Sequence, residues 1–247
     1  MIDTHCHVVF GVDDGAQCME DALQMIEVAI QHGMTAILCT PHSIPGHRYQ
    51  RNTLSYLSKN FEILKAKVKE CNYPIELYLG SEFQATDDSI EWIKEHKVVT
   101  LNNTNRVLVE LPWYYGGKTS HSEEYYLQLL LDEGYRVIVA HPERYESVQK
   151  DFSTLQRWRE MGCYFQVNRT SLVKNGEAAY VQDVAWRMVR EGYCDVIASD
   201  AHGYIGMRVN RLDDIYEILE QEISPEFAKR VCITNPNCSI TGEDYIV

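Results

Sequence analysis

No run of apolar residues in this sequence approaches the ~18 that a membrane-spanning helix requires, which excludes a transmembrane segment on length alone. No Cys-x-x-Cys pair occurs among the eight cysteines, Cys6, Cys18, Cys39, Cys71, Cys163, Cys194, Cys232 and Cys238. That removes the usual spacing signal of a thiolate zinc site or a redox motif. Several of the eight sit in apolar, strand-like segments, and the set reads as reduced, mostly buried thiols. No basic stripe is present either. The 23 Lys and Arg stand against 36 Asp and Glu, a formal net charge of −13. This argues against a nucleic-acid backbone as the main partner, since such binders cluster Lys and Arg. The chain opens MIDTHCH, which leaves no room for the basic region and apolar stretch of a secretory leader. The expectation is a cytoplasmic protein with no direct membrane insertion.

No Pro- or Ser-rich linker divides the 247 residues and no short-period repeat is visible, so one domain over 1–247 is expected. What the sequence does contain is alternation. Short apolar runs occur at roughly 2–6, AILCT at 36–40, IELYLG at 75–80, VLVEL at 107–111, VIVA at 137–140, CYFQVN at 163–168 and DVIAS at 195–199. Most are β-branched and short, as strands buried on both faces should be. Between them, stretches at 19–33, 53–70, 122–133, 151–161 and 178–191 carry apolar residues at helical spacing, with Gly33, Gly134, Gly162 and Gly192 as stops. Alternation repeated about seven times predicts an α/β fold with a parallel sheet. A closed or distorted barrel of about seven strands is the simplest architecture, and an open doubly wound sheet is the alternative.

In MIDTHCH, Asp3, His5 and His7 alternate with Ile2, Thr4 and Cys6, the period of a strand, so His5 and His7 project from one face. Two neighbouring imidazoles suit a metal ion, although a polar strand end or a tag remnant would read the same. The remaining strands decide between these. His42 follows AILCT, Glu82 follows IELYLG, Glu110 sits near the end of VLVEL, and His141 follows VIVA. Asp200 and His202 follow DVIAS, and Asp14 lies in the GVDDG loop behind the first strand. Most predicted strands therefore deliver His, Asp or Glu at their C-terminal ends, which converge on the active-site face of a barrel. Each residue alone reads as an ordinary strand-end or loop residue; their common placement does not. The donors are nitrogen and oxygen only, which favours Mn²⁺, Fe²⁺ or Zn²⁺ over a thiol-bound structural zinc. Nine ligands are too many for one ion, so two or three are implied. His32, His96 and His121 lack ligand company and read as surface residues, while His47 follows His42 closely enough to approach the mouth.

In this order and spacing, D-x-H-x-H, VDDG, TPH, GSE, VELP, AHPERY and SDAH resemble the PHP (polymerase and histidinol phosphatase) superfamily. The match is to its CpsB/YwqE-like protein-tyrosine phosphatase branch, found beside capsule and exopolysaccharide genes in Gram-positive bacteria. It runs from Met1 to ITNP at 233–236. AHPERY and SDAH are specific; D-x-H-x-H is shared with amidohydrolases. The resemblance implies a distorted TIM-like (β/α)7 barrel holding three divalent metal ions, with Mn²⁺ the first candidate. It implies that His5, His7, Glu82 and Asp200 hold one ion, that Glu82 bridges to a second completed by Glu110 and His141, and that Asp14, His42 and His202 hold the third. The implied substrate is phosphotyrosine in the tail of a bacterial tyrosine kinase that drives polysaccharide assembly. The sequence also departs from the pattern. Ser43 stands where a second His is usual, Gly11 where Asp is usual, and Gly203 where Asn is usual. The arginine after SDAH comes one position late, at Arg208, with Arg211 as a substitute.

The chemistry this implies is metal-assisted hydrolysis, in which ions make hydroxide available near neutrality and guanidinium groups stabilise the equatorial phosphoryl oxygens. Arg144 is the first candidate for that role and Arg208 the second. The ordinary reading of Arg144 is an ion pair with a neighbouring Glu. Asp200 is one candidate proton donor. A rival chemistry is suggested by CYFQVNR, which matches the C-x5-R pattern of cysteine phosphatases between Cys163 and Arg169. A phosphate-wrapping loop favours glycine at its tight turns, and this segment has none and alternates like a strand, so the match reads as coincidence. Histidinol phosphate or another small phosphomonoester is the rival substrate. A non-catalytic metal-binding regulatory module is the rival class, and the complete ligand set weighs against it.

Overall fold

A computed structural model of the protein describes residues 1–112 and 119–247. Its strands are β1 (Ile2–Cys6), β2 (Ala36–Cys39), β3 (His42–Ser43), β4 (Glu76–Leu79), β5 (Glu82–Gln84), β6 (Arg106–Glu110), β7 (Arg136–Ala140), β8 (Tyr164–Asn168) and β9 (Val196–Ala198). All pairings between them are parallel. They form a three-stranded sheet ordered β1-β2-β4 and a six-stranded sheet ordered β3-β5-β6-β7-β8-β9. The two sheets share chain, because β2 runs into β3 and β4 into β5 across short breaks. Pro41 sits in the first break, where a residue with no N–H does least damage to a ladder. Its carbonyl accepts from Glu82 N–H at 3.1 Å, so neighbours stay aligned across the break.

The first strand also meets the last. Asp200 N–H donates to His5 O at 2.9 Å, His7 N–H donates to Ala201 O at 2.9 Å, and Cys6 bridges Ala201 in parallel. An open doubly wound sheet would leave two unpaired edges. Here the order of neighbours returns to its start, a distorted barrel whose hydrogen bonding is divided between two sheets. The seven strand regions read from the sequence are all present, two of them continuing past a break into β3 and β5.

Helices Met19–Gln31, Leu54–Glu70, Glu123–Asp132, Ser153–Met161 and Ala179–Arg190 fall where periodicity placed them. Helices Ile90–Lys94, Glu146–Lys150, Asp213–Glu222, Pro225–Lys229 and Asn235–Thr241 lie outside those stretches. All but Asp213–Glu222 are under two full turns, too short for a helical period to emerge.

Strand alternation sorts the core into two layers. Val107, Val109, Val137 and Val139 pack outward into the large cluster beneath the helices, where Met19–Gln31 presents Ala22, Met25, Ile26 and Ala29 at helical spacing. Leu108, Ile138 and Ala140 belong instead to a separate inner cluster with Ile2, Leu38 and Val196. Cys238, Ile240 and Tyr245 of the C-terminal segment complete it. Arg106, fully buried at the start of β6, lies 4.3 Å from the Tyr245 ring and donates from Nε to Cys238 O at 3.2 Å. The C-terminal segment thus closes the end of the barrel where the strands begin. The other end holds the polar residues.

Candidate metal centre

All nine residues singled out by the sequence meet at the C-terminal ends of the strands. His5 and His7 approach through Nε2 at 3.2 Å from each other. Glu82 Oε2 lies 3.3 Å from His5 Nε2 and 3.4 Å from His7 Nε2, and Asp200 Oδ1 lies 3.5 and 3.6 Å from the same two atoms. Glu82 turns its other oxygen to His141 Nε2 at 2.9 Å, and Glu110 Oε1 lies 3.9 Å from that nitrogen. Asp14 Oδ1 is 3.4 Å from His42 Nε2 and 3.5 Å from His202 Nε2. Donors about 2.1 Å from one ion sit roughly 3.0–3.4 Å apart in octahedral or tetrahedral shells, so these spacings fit the donor set to divalent ions. His42 Nδ1 also lies 2.9 Å from Glu82 Oε2, so the donors form overlapping groups: His7 with Asp14, His42 and His202; His5 with His7 and Asp200; His5 with Glu82 and His141; and His42 with Glu82 and Glu110.

The backbone contributes to this convergence. His141 and Asp200, the residues just past β7 and near the end of β9, adopt left-handed conformations at φ 37° and 52°. Such a turn costs a non-glycine residue roughly 1–2 kcal/mol and is the kind of strain found at functional positions.

A surrounding layer fixes the imidazoles. His5 Nδ1–H donates to Gln166 Oε1 at 2.9 Å, and His7 Nδ1–H donates to Asp13 Oδ2 at 2.7 Å. In the neutral imidazole each bond leaves Nε2 with its lone pair toward the cluster, the form that ligates a metal. Asp13 also accepts from His42 N–H at 2.9 Å and Gly15 N–H at 3.0 Å. Gln166 donates to Asn168 Oδ1 at 2.7 Å, and Asn168 donates to Asp200 Oδ2 at 2.8 Å. The sequence reading missed Asp13, Gln166 and Asn168. Asp13 had a legible signal, since VDDG holds two aspartates, but which one faces the cluster depends on the turn.

Charge is concentrated here. Burial opposes protonation of His5, yet Glu82 and Asp200 beside it raise the imidazole to about 9; for His42, Glu82 outweighs burial and raises it to about 10. Burial and neighbouring His7 push His202 down to about 4. Burial opposes ionisation of Asp200, but Arg208, His5 and His202 hold it well below the usual carboxylate range. Glu82, ringed by His5 and His42, is likewise held low despite burial.

A cleft of about 580 Å³ opens over the cluster, lined by Asp14, His42, Glu82, Glu110, His141, Asp200 and His202 together with Arg144, Arg208, Glu177 and Tyr180. Arg144 Nη1 donates to Asp200 Oδ2 at 2.9 Å, and Nη2 donates to Glu177. Arg208 donates from Nη2 to Asp200 Oδ1 at 2.8 Å and from Nε to the Asp200 carbonyl at 3.1 Å. The late position of Arg208 therefore does not remove it from the cleft. Arg211 does not substitute for it: it pairs with Asp213 and Asp214 and lies outside the cleft lining.

Residues set aside by the sequence fall as follows. Ser43 is buried and donates to Asn52 O at 3.0 Å, and Gly11 has φ +69°, a conformation an aspartate there would adopt only under strain. His47 is half-buried outside the cleft lining. His96 and His121 are exposed, and His32 is half-buried against Asp213 at 3.0 Å. Cys163 is buried at the foot of β8, its thiol pushed up to about 12 by burial, and Arg169 pairs with Asp214. Strand β8 runs from Tyr164 to Asn168, so the C-x5-R segment does not form a phosphate loop.

A family model described as capsular polysaccharide synthesis, CpsB/CapC, matches residues 1–241. The tyrosine-protein phosphatase CpsB of Streptococcus agalactiae serotype III is 30% identical over 250 residues, covering 100% of both chains. The tyrosine-protein phosphatase YwqE of Bacillus subtilis is 27% identical over 226 residues, covering 92% of this chain and 86% of that one. A solved structure described among those of Bacillus subtilis YwqE and Streptococcus pneumoniae CpsB, unique metal-dependent tyrosine phosphatases, superposes with a TM-score of 0.87 at 25% identity. It covers 100% of this chain and 96% of its own. With the match extending from the first strand through helix Asn235–Thr241, the chain belongs to the CpsB/CapC family of capsular polysaccharide synthesis.

Proposed function

We propose that the chain is a metal-dependent protein-tyrosine phosphatase, a single metallophosphatase domain over 1–247. It hydrolyses phosphotyrosine on a protein of polysaccharide assembly, in the first place its tyrosine kinase, and so regulates capsular or exopolysaccharide synthesis. One observation carries the reading: nine nitrogen and oxygen donors from successive strand ends converge beside two guanidinium groups in one cleft.

His5, His7, Glu82 and Asp200 are the donors for one ion, Glu82, Glu110 and His141 for a second, and Asp14, His42 and His202 for a third. Three divalent ions, Mn²⁺ first among them, supply Lewis acidity toward phosphoryl oxygens and lower the pKa of water toward neutrality. Asp13 and Gln166 hold His7 and His5 in the ligating tautomer. Arg144 and Arg208 present N–H groups to the non-bridging oxygens, where charge must be stabilised as the P–O bond breaks. Asp200 is held ionised by its cationic neighbours, which suits it to anchoring and not to donating a proton at neutral pH. The leaving phenol has a pKa of about 10 and needs less help than an alkoxide. Tyr180 and Val181, at the start of helix Ala179–Arg190, give the phenyl ring an apolar wall.

The test is phosphatase activity of metal-stripped protein, checked by elemental analysis, before and after Mn²⁺ is restored. A phosphotyrosine peptide and histidinol phosphate are compared as substrates. Activity lost on stripping, regained with Mn²⁺ and directed at the peptide is expected. Full activity without metal, or turnover of histidinol phosphate alone, would overturn the reading.

A further inference from the structure

The guanidinium of Arg144 is engaged on two sides by carboxylates of different character. Nη1 meets Asp200, which is 2% exposed and held also by Arg208 and Asn168. Nη2 meets Glu177 and reaches Thr170 Oγ1 at 3.5 Å. The Glu177 side chain is 26% exposed and lines the cleft. Its backbone, by contrast, is pinned. A Cβ on Gly176 would lie 2.1 Å from Thr170 O, so only glycine allows that approach, and Glu177 O accepts from Gln182 Nε2 at 2.8 Å. The chain is built to hold a movable carboxylate over the outer edge of Arg144.

We propose that Glu177 is a built-in competitor for the phosphoryl group. Its carboxylate occupies the position on Arg144 Nη2 that a phosphoryl oxygen takes, and an entering phosphate monoester turns it out toward solvent. The inference rests on the function proposed above and adds a residue that sets affinity for the substrate's phosphate. Carboxylate and phosphate oxygens use the same N–H donors of arginine, and two anions sharing one Nη2 repel each other. Asp200, 2% exposed, is held in place by Asn168 and Arg208 as well; Glu177, 26% exposed at the cleft, has room to turn outward. The exchange weakens binding of the phosphate group in substrate and product alike, which favours release of inorganic phosphate.

The experiment is calorimetric titration of orthophosphate into Mn²⁺-loaded wild type, Glu177→Gln, Arg144→Ala and the double variant, with KM and kcat measured on one phosphotyrosine peptide. Folding is checked by circular dichroism. Glu177→Gln should bind orthophosphate about tenfold more tightly, the scale of one hydrogen bond between charged groups, and its KM should fall by a similar factor. In the Arg144→Ala background the same substitution should change binding less than threefold. Unchanged or weaker phosphate binding in Glu177→Gln, or a fall in kcat at constant KM, would overturn the proposal and make Glu177 a positioning residue for Arg144. Phosphate binding does not require turnover. The expected binding pattern in a protein that fails to hydrolyse phosphotyrosine would therefore refute the phosphatase reading while leaving the competition intact.

Discussion

Asp13→Asn tests whether the layer behind the ligands governs the centre. Asp13 is buried and its two oxygens accept three donors: His7 Nδ1–H at 2.7 Å, His42 N–H at 2.9 Å and Gly15 N–H at 3.0 Å. An asparagine has the same shape but one acceptor. Its better orientation keeps oxygen toward His7 and His42 and turns NH₂ against Gly15 N–H, leaving a buried donor facing a donor. A lost hydrogen bond to a charged group costs about 1.5–3 kcal/mol. For a chain of this size roughly 2–4 °C of Tm accompanies each kcal/mol, so the metal-free variant should melt about 3–12 °C below wild type. The bond that remains is to a neutral acceptor, so His7 becomes a poorer ligand, and metal affinity should fall about 10–100-fold. Differential scanning calorimetry of stripped protein measures the first effect, and Mn²⁺ titration measures the second. An Asp13→Asn protein with wild-type Tm and Mn²⁺ affinity within twofold of wild type would refute the reasoning.

Arg144→Ala should retain its metal while kcat/KM on a phosphotyrosine peptide falls about 100-fold or more, the scale of a lost transition-state donor; unchanged kcat/KM in a metal-replete variant would remove Arg144 from the site. Gly15→Ala places a Cβ 2.0 Å from His7 O and 2.4 Å from His7 Cβ, so His7 must move. Loss of both stability and Mn²⁺ binding is expected, and a crystal structure with His7 undisplaced would contradict it. His7→Ala should lose several powers of ten in kcat/KM. Cys163→Ser should keep activity within about twofold and lose about 1–2 kcal/mol of stability, read by urea unfolding. Cys163, with its thiol near 12, should also resist iodoacetamide at pH 8, while exposed Cys18 is labelled. A folded, inactive Cys163→Ser beside an active His7→Ala would reverse the assignment of mechanism.

The nine-residue cluster was legible because parallel α/β topology makes strand ends equivalent. Once His42, Glu82, Glu110, His141 and Asp200 are seen to follow apolar β-branched runs, their meeting at one face needs only the alternation of strands and helices. The strands themselves were legible for a related reason: most are buried on both faces, so composition alone marks them, β4 with its exposed Glu76 being the exception. Periodicity did not mark the short helices, nor did it reveal the breaks at Pro41 and Gly80 that split the barrel into two sheets. Those breaks depend on how neighbouring strands align. It also did not separate Asp13 from Asp14. Adjacent residues in a turn point in directions fixed by the backbone, and there the close approach of Gly15 to His7 turns Asp13 inward and leaves Asp14 facing His42 and His202. The partners of Arg144 were hidden most completely. Asp200 and Glu177 lie 56 and 33 residues away from it in sequence. Hydrogen bonds across such separations leave no local pattern, because a side-chain contact depends on where the fold brings two chain segments and on nothing in either segment alone.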